Sequence, residues 1–221
     1  MRLDLEHVWR TYHVGEADVV ALRDASVSIA SGELVAVVGP SGSGKSTFLQ
    51  LIGLLDTPSA GSVRFDGQDV GSLDDARRTD IRLHSLGFVF QRFHLLNHLT
   101  ALENVALPME AAGVGPDQRE ARAAGLLASV GLGDRLDFRP AQLSGGQRQR
   151  VAVIRAVANS PSMILADEPT GELHSADKAR VLDLFRALNA EDRTVIIVTH
   201  DPEVAAVAPR RIEIRDGMLR G

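Results

Sequence analysis

Three features of the chain predict an α/β fold built on a mostly parallel sheet. Segments 33–38, 163–166 and 194–199 are nearly unbroken apolar runs, which suits strands covered on both faces. Stretches with apolar residues at helical spacing separate them, and a Gly-rich turn joins the first run to the helix after it. Strands and helices alternating in this way place helices on both faces of one sheet.

The chain has 221 residues, 44% of them hydrophobic, enough for a sizeable core. Its net charge of −5 argues against a protein that coats nucleic acid, which is usually basic. The lack of cysteine excludes a disulfide scaffold and a thiolate metal site, and fits a reducing compartment. Met1-Arg2-Leu3-Asp4-Leu5-Glu6 lacks the apolar core of a signal peptide. No run approaches the roughly 18 apolar residues of a membrane span, so a role at a membrane would need other subunits to supply the spanning part.

Taken in order, Leu3, Leu5, Val27 and Ile29 alternate as half-buried strands do. After the strand at 33–38 and the Gly-rich turn, apolar spacing predicts a helix over 48–55. Segment 62–67 reads as a short strand and turn. A polar helix is predicted over 74–83, capped by Ser72 with Asp75 three residues on. Gly87-Phe88-Val89-Phe90 reads as a strand ending at Gln91. Segment 102–136 is helical and alanine-rich, interrupted at 113–116 and 131–133. It predicts a helical subdomain, spanning about 92–141, inserted into a single domain that covers 1–221. Helices over about 145–159 and 176–188 flank the strand at 163–166. There is no internal repeat.

Gly39-Pro40-Ser41-Gly42-Ser43-Gly44-Lys45-Ser46 fits G-x-x-x-x-G-K-[ST], with the required strand before it and helix after it. The glycines let several backbone N–H groups face one anion, aided by the helix dipole. In such a loop Lys45 reaches the β- and γ-phosphates and the Ser46 hydroxyl ligates Mg²⁺. The run at 163–166 leads into Asp167 and Glu168. Successive strand residues point to opposite faces, so one acid is expected to hold the metal and the other to face the attacking water. Asp167 takes the first role and Glu168, as general base, the second. Leu143-Ser144-Gly145-Gly146-Gln147 opens a helix with a capping box between Ser144 and Gln147. Two glycines in a first helical turn weaken a helix, but they suit close approach of a phosphate to bare N–H groups. A second phosphate cradle makes sense if its nucleotide is held by another subunit.

Leu143 to Gln147 is identical to the signature sequence of ATP-binding cassette (ABC) transporter ATPases, and the family's other motifs stand in order over essentially the whole chain. The resemblance implies a P-loop NTPase core with an N-terminal antiparallel β-subdomain and the inserted α-helical subdomain. It implies ATP and Mg²⁺ as ligands, with Thr47 joining the phosphate loop. Tyr12 resembles the aromatic residue that stacks on adenine. Gln91 resembles the glutamine that joins the Mg²⁺ sphere and senses a membrane partner, and His200 resembles the switch histidine at the γ-phosphate. A head-to-tail homodimer follows, each ATP lying between Lys45 of one chain and Ser144, Gly145, Gly146 and Gln147 of the other.

Segment 86–108 is similar to the macrolide-exporter and lipoprotein-release branch, whose ATPases pair with membrane-spanning permease subunits. The length resembles the lipoprotein-release and cell-division members, implying a peripheral place on the cytoplasmic face of the plasma membrane. Alternatives are a nucleotide-gated regulator of the cell-division type and a soluble ABC ATPase acting on DNA or ribosomes. The absence of a long heptad insertion and of a second cassette counts against the last. One departure stands out: Glu172-Leu173-His174 replaces the branch's usual Asn-Leu-Asp, which puts the rate of hydrolysis in doubt more than ATP binding.

Overall fold

The computed structural model describes residues 1–15 and 17–220. Two long strands, β1 (Leu3–Val14) and β2 (Ala17–Ile29), open the chain as an antiparallel pair. Leu3 faces Ile29 and Leu5 faces Val27 across that pair, so the alternating apolar residues meet. β3 (Leu34–Val38) leads through the Gly-rich loop to α1 (Lys45–Ile52). β4 (Ala60–Phe65) and the short β5 (Gln68–Asp69) return to the first sheet, whose order is β2-β1-β4-β5 with antiparallel pairing throughout.

α2 (Asp75–Ser85) runs directly into β6 (Leu86–Phe90). Its cap differs from the sequence expectation: Asp74 accepts the Arg77 N–H, while the Ser72 hydroxyl turns back to the Asp69 carbonyl. α3 (Ala101–Ala111) and α4 (Pro116–Ser129) lie between β6 and α5 (Gly145–Val157). The breaks expected near 113–116 and 131–133 fall just after these two helices. β7 (Met163–Asp167), α6 (Ser175–Ala190) and β8 (Thr194–Thr199) follow. Last come α7 (Pro202–Ala205), β9 (Arg210–Arg215) and β10 (Met218–Arg220).

The second sheet has the order β10-β9-β3-β8-β7-β6 and is parallel except at β10. Its continuous apolar strands feed two cores, because neighbouring side chains leave opposite faces. Val35, Val37, Met163, Leu165, Ile196 and Val198 join α1 and the antiparallel sheet in one core. Ala36, Ile164, Ala166, Val195 and Ile197 join α3, α4, α5 and α6 in the other. The expected α/β class and mostly parallel sheet are those observed.

Candidate functional site

Register sets the site. Val38 lies opposite Thr199, Asp167 opposite Val198, and Phe90 opposite Asp167. Four strands therefore end level, and residues 39–46, 168, 200 and 91 emerge side by side at the carboxyl edge of the sheet. In open α/β sheets this is the edge where ligands bind.

The phosphate loop owes its shape to two glycines. Gly42 (φ 77) and Gly44 (φ 108) adopt conformations that L residues avoid. A Cβ on Gly44 would also collide with the Ala21 carbonyl. Gly44 is the N-cap of α1 and supplies no side-chain acceptor, so no side chain caps the first-turn N–H groups, which stay available to an anion. The Lys45 ammonium donates to the carbonyls of Gly39 and Pro40, each at 2.8 Å, and so lies across its own loop. The buried Ser43 hydroxyl has no hydrogen-bond partner among the described residues. A buried hydroxyl without a partner is costly, and a phosphate oxygen in the cradle would satisfy it.

Asp167 ends β7 with a half-buried carboxyl. Burial pushes its pKa up, Glu168 adds to the rise, and Lys45 works against it. No hydrogen bond to that carboxyl forms among the described residues. No trio of His, Cys, Asp or Glu side chains converges there either. The oxygen donors at hand are the Ser46 hydroxyl, Asp167 and the Gln91 amide, a hard set that fits Mg²⁺ with several waters retained.

Glu168 departs from the expected simple alternation. The strand stops at Asp167, and Glu168 takes a left-handed backbone (φ 45), a strained conformation typical of functional positions. Its N–H donates to the Val198 carbonyl at 2.9 Å. One carboxylate oxygen accepts from the His200 N–H at 2.9 Å and lies 2.6 Å from His200 Nδ1; the other accepts from the Thr199 hydroxyl at 3.0 Å. Base candidate and switch-histidine candidate are thus in direct contact.

Tyr12, late in β1, is fixed from two sides. Its hydroxyl donates to Asp56 at 2.8 Å, and the Arg10 guanidinium covers one ring face at 4.5 Å while pairing with Asp56 at 2.8 Å. Neither Arg10 nor Asp56 carries a sequence signal that reveals this. Gln91 is exposed and lies against Gly171, where a Cβ would come within 2.9 Å of its amide nitrogen. The buried Gln149 of α5 braces this region, donating to the Pro169 carbonyl at 2.6 Å. Arg155, also on α5, donates to the Phe93 carbonyl at 2.9 Å.

Ser144 caps α5, with Gln147 completing the box: Ser144 N–H to Gln147 Oε1 at 2.8 Å and Gln147 N–H to Ser144 Oγ at 3.2 Å. The two glycines turn out to differ. The nearest atoms to a Cβ on Gly145 would be 3.8 Å away, whereas one on Gly146 would lie inside the Asp177 carboxylate on α6. Gly145 is not crowded by its surroundings; Gly146 makes room for a neighbouring helix. No hydrogen bond or ion pair among the described residues joins Ser144–Gln147 to the phosphate loop of the same chain.

A strand–loop–helix phosphate cradle beside an acid pair at the end of a neighbouring parallel strand defines a P-loop nucleoside triphosphatase domain. The model for the family described as ABC transporter matches residues 22–171. The macrolide export ATP-binding/permease protein MacB of Chromobacterium violaceum is 52% identical over 98% of this chain and 34% of its own length. An uncharacterised ABC transporter ATP-binding protein of Thermotoga maritima is 49% identical over 99% of this chain and 94% of its own. The ATP-binding cassette MJ0796, solved as a dimer in a post-hydrolysis state with ADP and Pi, superposes with a TM-score of 0.92 at 43% identity, covering 99% of this chain and 97% of that one. The chain belongs to the ABC transporter family and is an ATPase domain of it. It spans about a third of the length of its MacB relatives.

Proposed function

We propose that the chain binds and hydrolyses ATP as the motor of a membrane transporter of the macrolide-exporter or lipoprotein-release type, closing on a second copy of itself around two nucleotides. The observation that carries this reading is the set of four level strand ends, which gathers Lys45, Gln91, Asp167, Glu168 and His200 at one edge. Lys45 leaves its loop carbonyls for the β- and γ-phosphates. Glu168 takes the proton of a water whose oxygen attacks the γ-phosphorus as the bond to the β–γ bridging oxygen breaks. His200, exposed and next to Glu168, is free to turn to the γ-phosphate, while Tyr12 offers adenine the ring face that Arg10 leaves open. Ser46, Gln91 and Asp167 would hold Mg²⁺, which supplies charge neutralisation on the phosphate oxygens. Ser144 and Gly145 of the second copy close over the γ-phosphate, and differential affinity for ATP over ADP drives reopening. The segment 92–141, bearing α3 and α4, serves as the inserted helical subdomain.

The permease contact is supported by a groove of about 320 Å³ next to Gln91, lined by Leu86, Phe88, Phe90, Leu107 and Pro108. Among the described residues no helix is long and apolar enough to cross a membrane, and the proposed place at the cytoplasmic face is assigned to that contact. The dimeric MJ0796 structures favour association of two copies. The test is the solution mass of Glu168→Gln with and without ATP and Mg²⁺, beside wild-type hydrolysis. An ATP-dependent dimer with turnover lost supports the reading. Retained turnover refutes the base assignment, and a variant that binds ATP yet stays monomeric refutes self-driven closure.

A further inference from the structure

We propose that Thr199 is a positioning residue for hydrolysis: its buried hydroxyl fixes the Glu168 carboxylate while His200 moves. The proposal rests on the reading of Glu168 as the general base.

Thr199 is the last residue of β8 and is 0% exposed. The strand before it reads Thr-Val-Ile-Ile-Val, so packing alone would be served by another valine or isoleucine. A hydroxyl buried here is costly unless both its donor and acceptor capacities are used. Both are used. The oxygen accepts the Asp201 N–H at 3.0 Å, and the O–H donates to Glu168 Oε2 at 3.0 Å. The incoming N–H occupies one side of the oxygen, which removes much of the rotational freedom a threonine hydroxyl ordinarily has and leaves its hydrogen aimed at Glu168.

The Asp201 backbone that fixes the rotor is itself held. The Asp201 carboxylate accepts the Glu203 N–H at 2.8 Å, capping α7, and pairs with the Lys178 ammonium of α6 at 2.5 Å. Glu168 is therefore pinned to β8 at two points, its N–H on Val198 and its carboxylate on Thr199. The remaining carboxylate contacts come from His200, whose side chain is 71% exposed. When His200 turns to a phosphate, its imidazole contact with Glu168 breaks. The His200 backbone N–H and the Thr199 hydroxyl persist, one on each carboxylate oxygen, so Thr199 is the side chain that holds the base in orientation across the catalytic cycle. A base displaced by about 1 Å loses on the order of a hundredfold in rate, and loss of a hydrogen bond to a carboxylate approaches that range.

The experiment is steady-state ATP hydrolysis by wild type, Thr199→Val, Thr199→Ser and Glu168→Gln, each with its melting temperature. Thr199→Val is expected to lower kcat about ten- to thirtyfold with KM for ATP changed less than about threefold. Thr199→Ser, which keeps the hydroxyl, is expected to retain kcat within about threefold of wild type. A Thr199→Val enzyme with wild-type kcat, or a serine variant that falls with it, overturns the proposal. If the valine variant does not fold, Thr199→Ala against Thr199→Ser makes the same comparison. An active Glu168→Gln refutes the base assignment beneath the proposal. An inactive Glu168→Gln beside an active Thr199→Val refutes the proposal alone.

Discussion

Gly145 and Gly146 are adjacent, both in the first turn of α5, and the structure requires them to respond differently to alanine. Whatever alanine gains over glycine from helix propensity is broadly shared by the two sites, so the difference between the variants isolates steric contact. At Gly145 the nearest atoms to a new Cβ are the Glu172 carbonyl and Leu173 Cδ2, both 3.8 Å away, ordinary contact distance. At Gly146 the Cβ would overlap the Asp177 carboxylate. Asp177 sits in the first turn of α6, where a carboxylate is favourable to the helix dipole, and to yield it must leave its rotamer or push α6 away. Overpacking of this kind costs about 1–3 kcal/mol, and a mobile carboxylate places the value at the lower end. Taking about 1–2 kcal/mol, and about 2–4 °C per kcal/mol for a chain of this size, Gly146→Ala should melt about 2–8 °C below Gly145→Ala. Thermal unfolding by circular dichroism in the absence of nucleotide measures the gap. On an Asp177→Ala background the gap should close. Equal melting of the two single variants, or a gap that survives removal of the Asp177 carboxylate, refutes the packing argument. The result also governs functional work on the two glycines: an effect of Gly145→Ala on activity is free of this clash, whereas one of Gly146→Ala carries a packing defect with it.

Two further expectations follow from α6. His174 is its N-cap and makes no side-chain cap hydrogen bond, so His174→Asp, which supplies an acceptor for a first-turn N–H, should stabilise by about 1 kcal/mol and raise the melting temperature about 2–4 °C; no rise refutes the capping account, and an accompanying increase in ATPase rate would tie this position to turnover as well. The Lys178 ammonium holds the Asp201 pKa below its usual range, while Asp201 and then Glu203 raise that of Lys178. A depressed carboxylate contributes stability above its unfolded value, about pH 4, and loses it as pH falls; a raised amine contributes below about pH 10 and loses it as pH rises. Lys178→Met should therefore cost about 0.5–1 kcal/mol at neutral pH, with the melting gap to wild type closing below about pH 4; a gap that is unchanged in acid refutes the pairing as its cause.

The parallel strands and the phosphate loop were legible because each is a local pattern: an apolar run of strand length, or fixed residue types at fixed spacing. What escaped depends on residues far apart in the chain. Ser72 and Asp74 are both good capping residues, and only the helix start decides between them. Nothing before position 146 announces that its glycine meets Asp177. The alternation rule does not reach Glu168, because the strand ends one residue earlier and the backbone there turns left-handed. β9 carries a masked signal: Ile212 and Ile214 alternate properly, but three arginines and one glutamate surround them. In the sequence Thr199 is one more strand residue, and only the fold brings the Glu168 carboxylate beside it.

The sheet order has a consequence for synthesis. The strand that delivers the phosphate loop, β3, has as its two neighbours β8 and β9, and both come far later in the chain. A chain emerging from the ribosome carries Leu34-Val35-Ala36-Val37-Val38 with both edges unpaired until residues 194–215 appear. Pairing across so large a sequence separation is slow, and open apolar edges invite aggregation. The nucleotide cradle can be completed only once residues 194–215 exist, so a chain stalled before them exposes β3 without a working site.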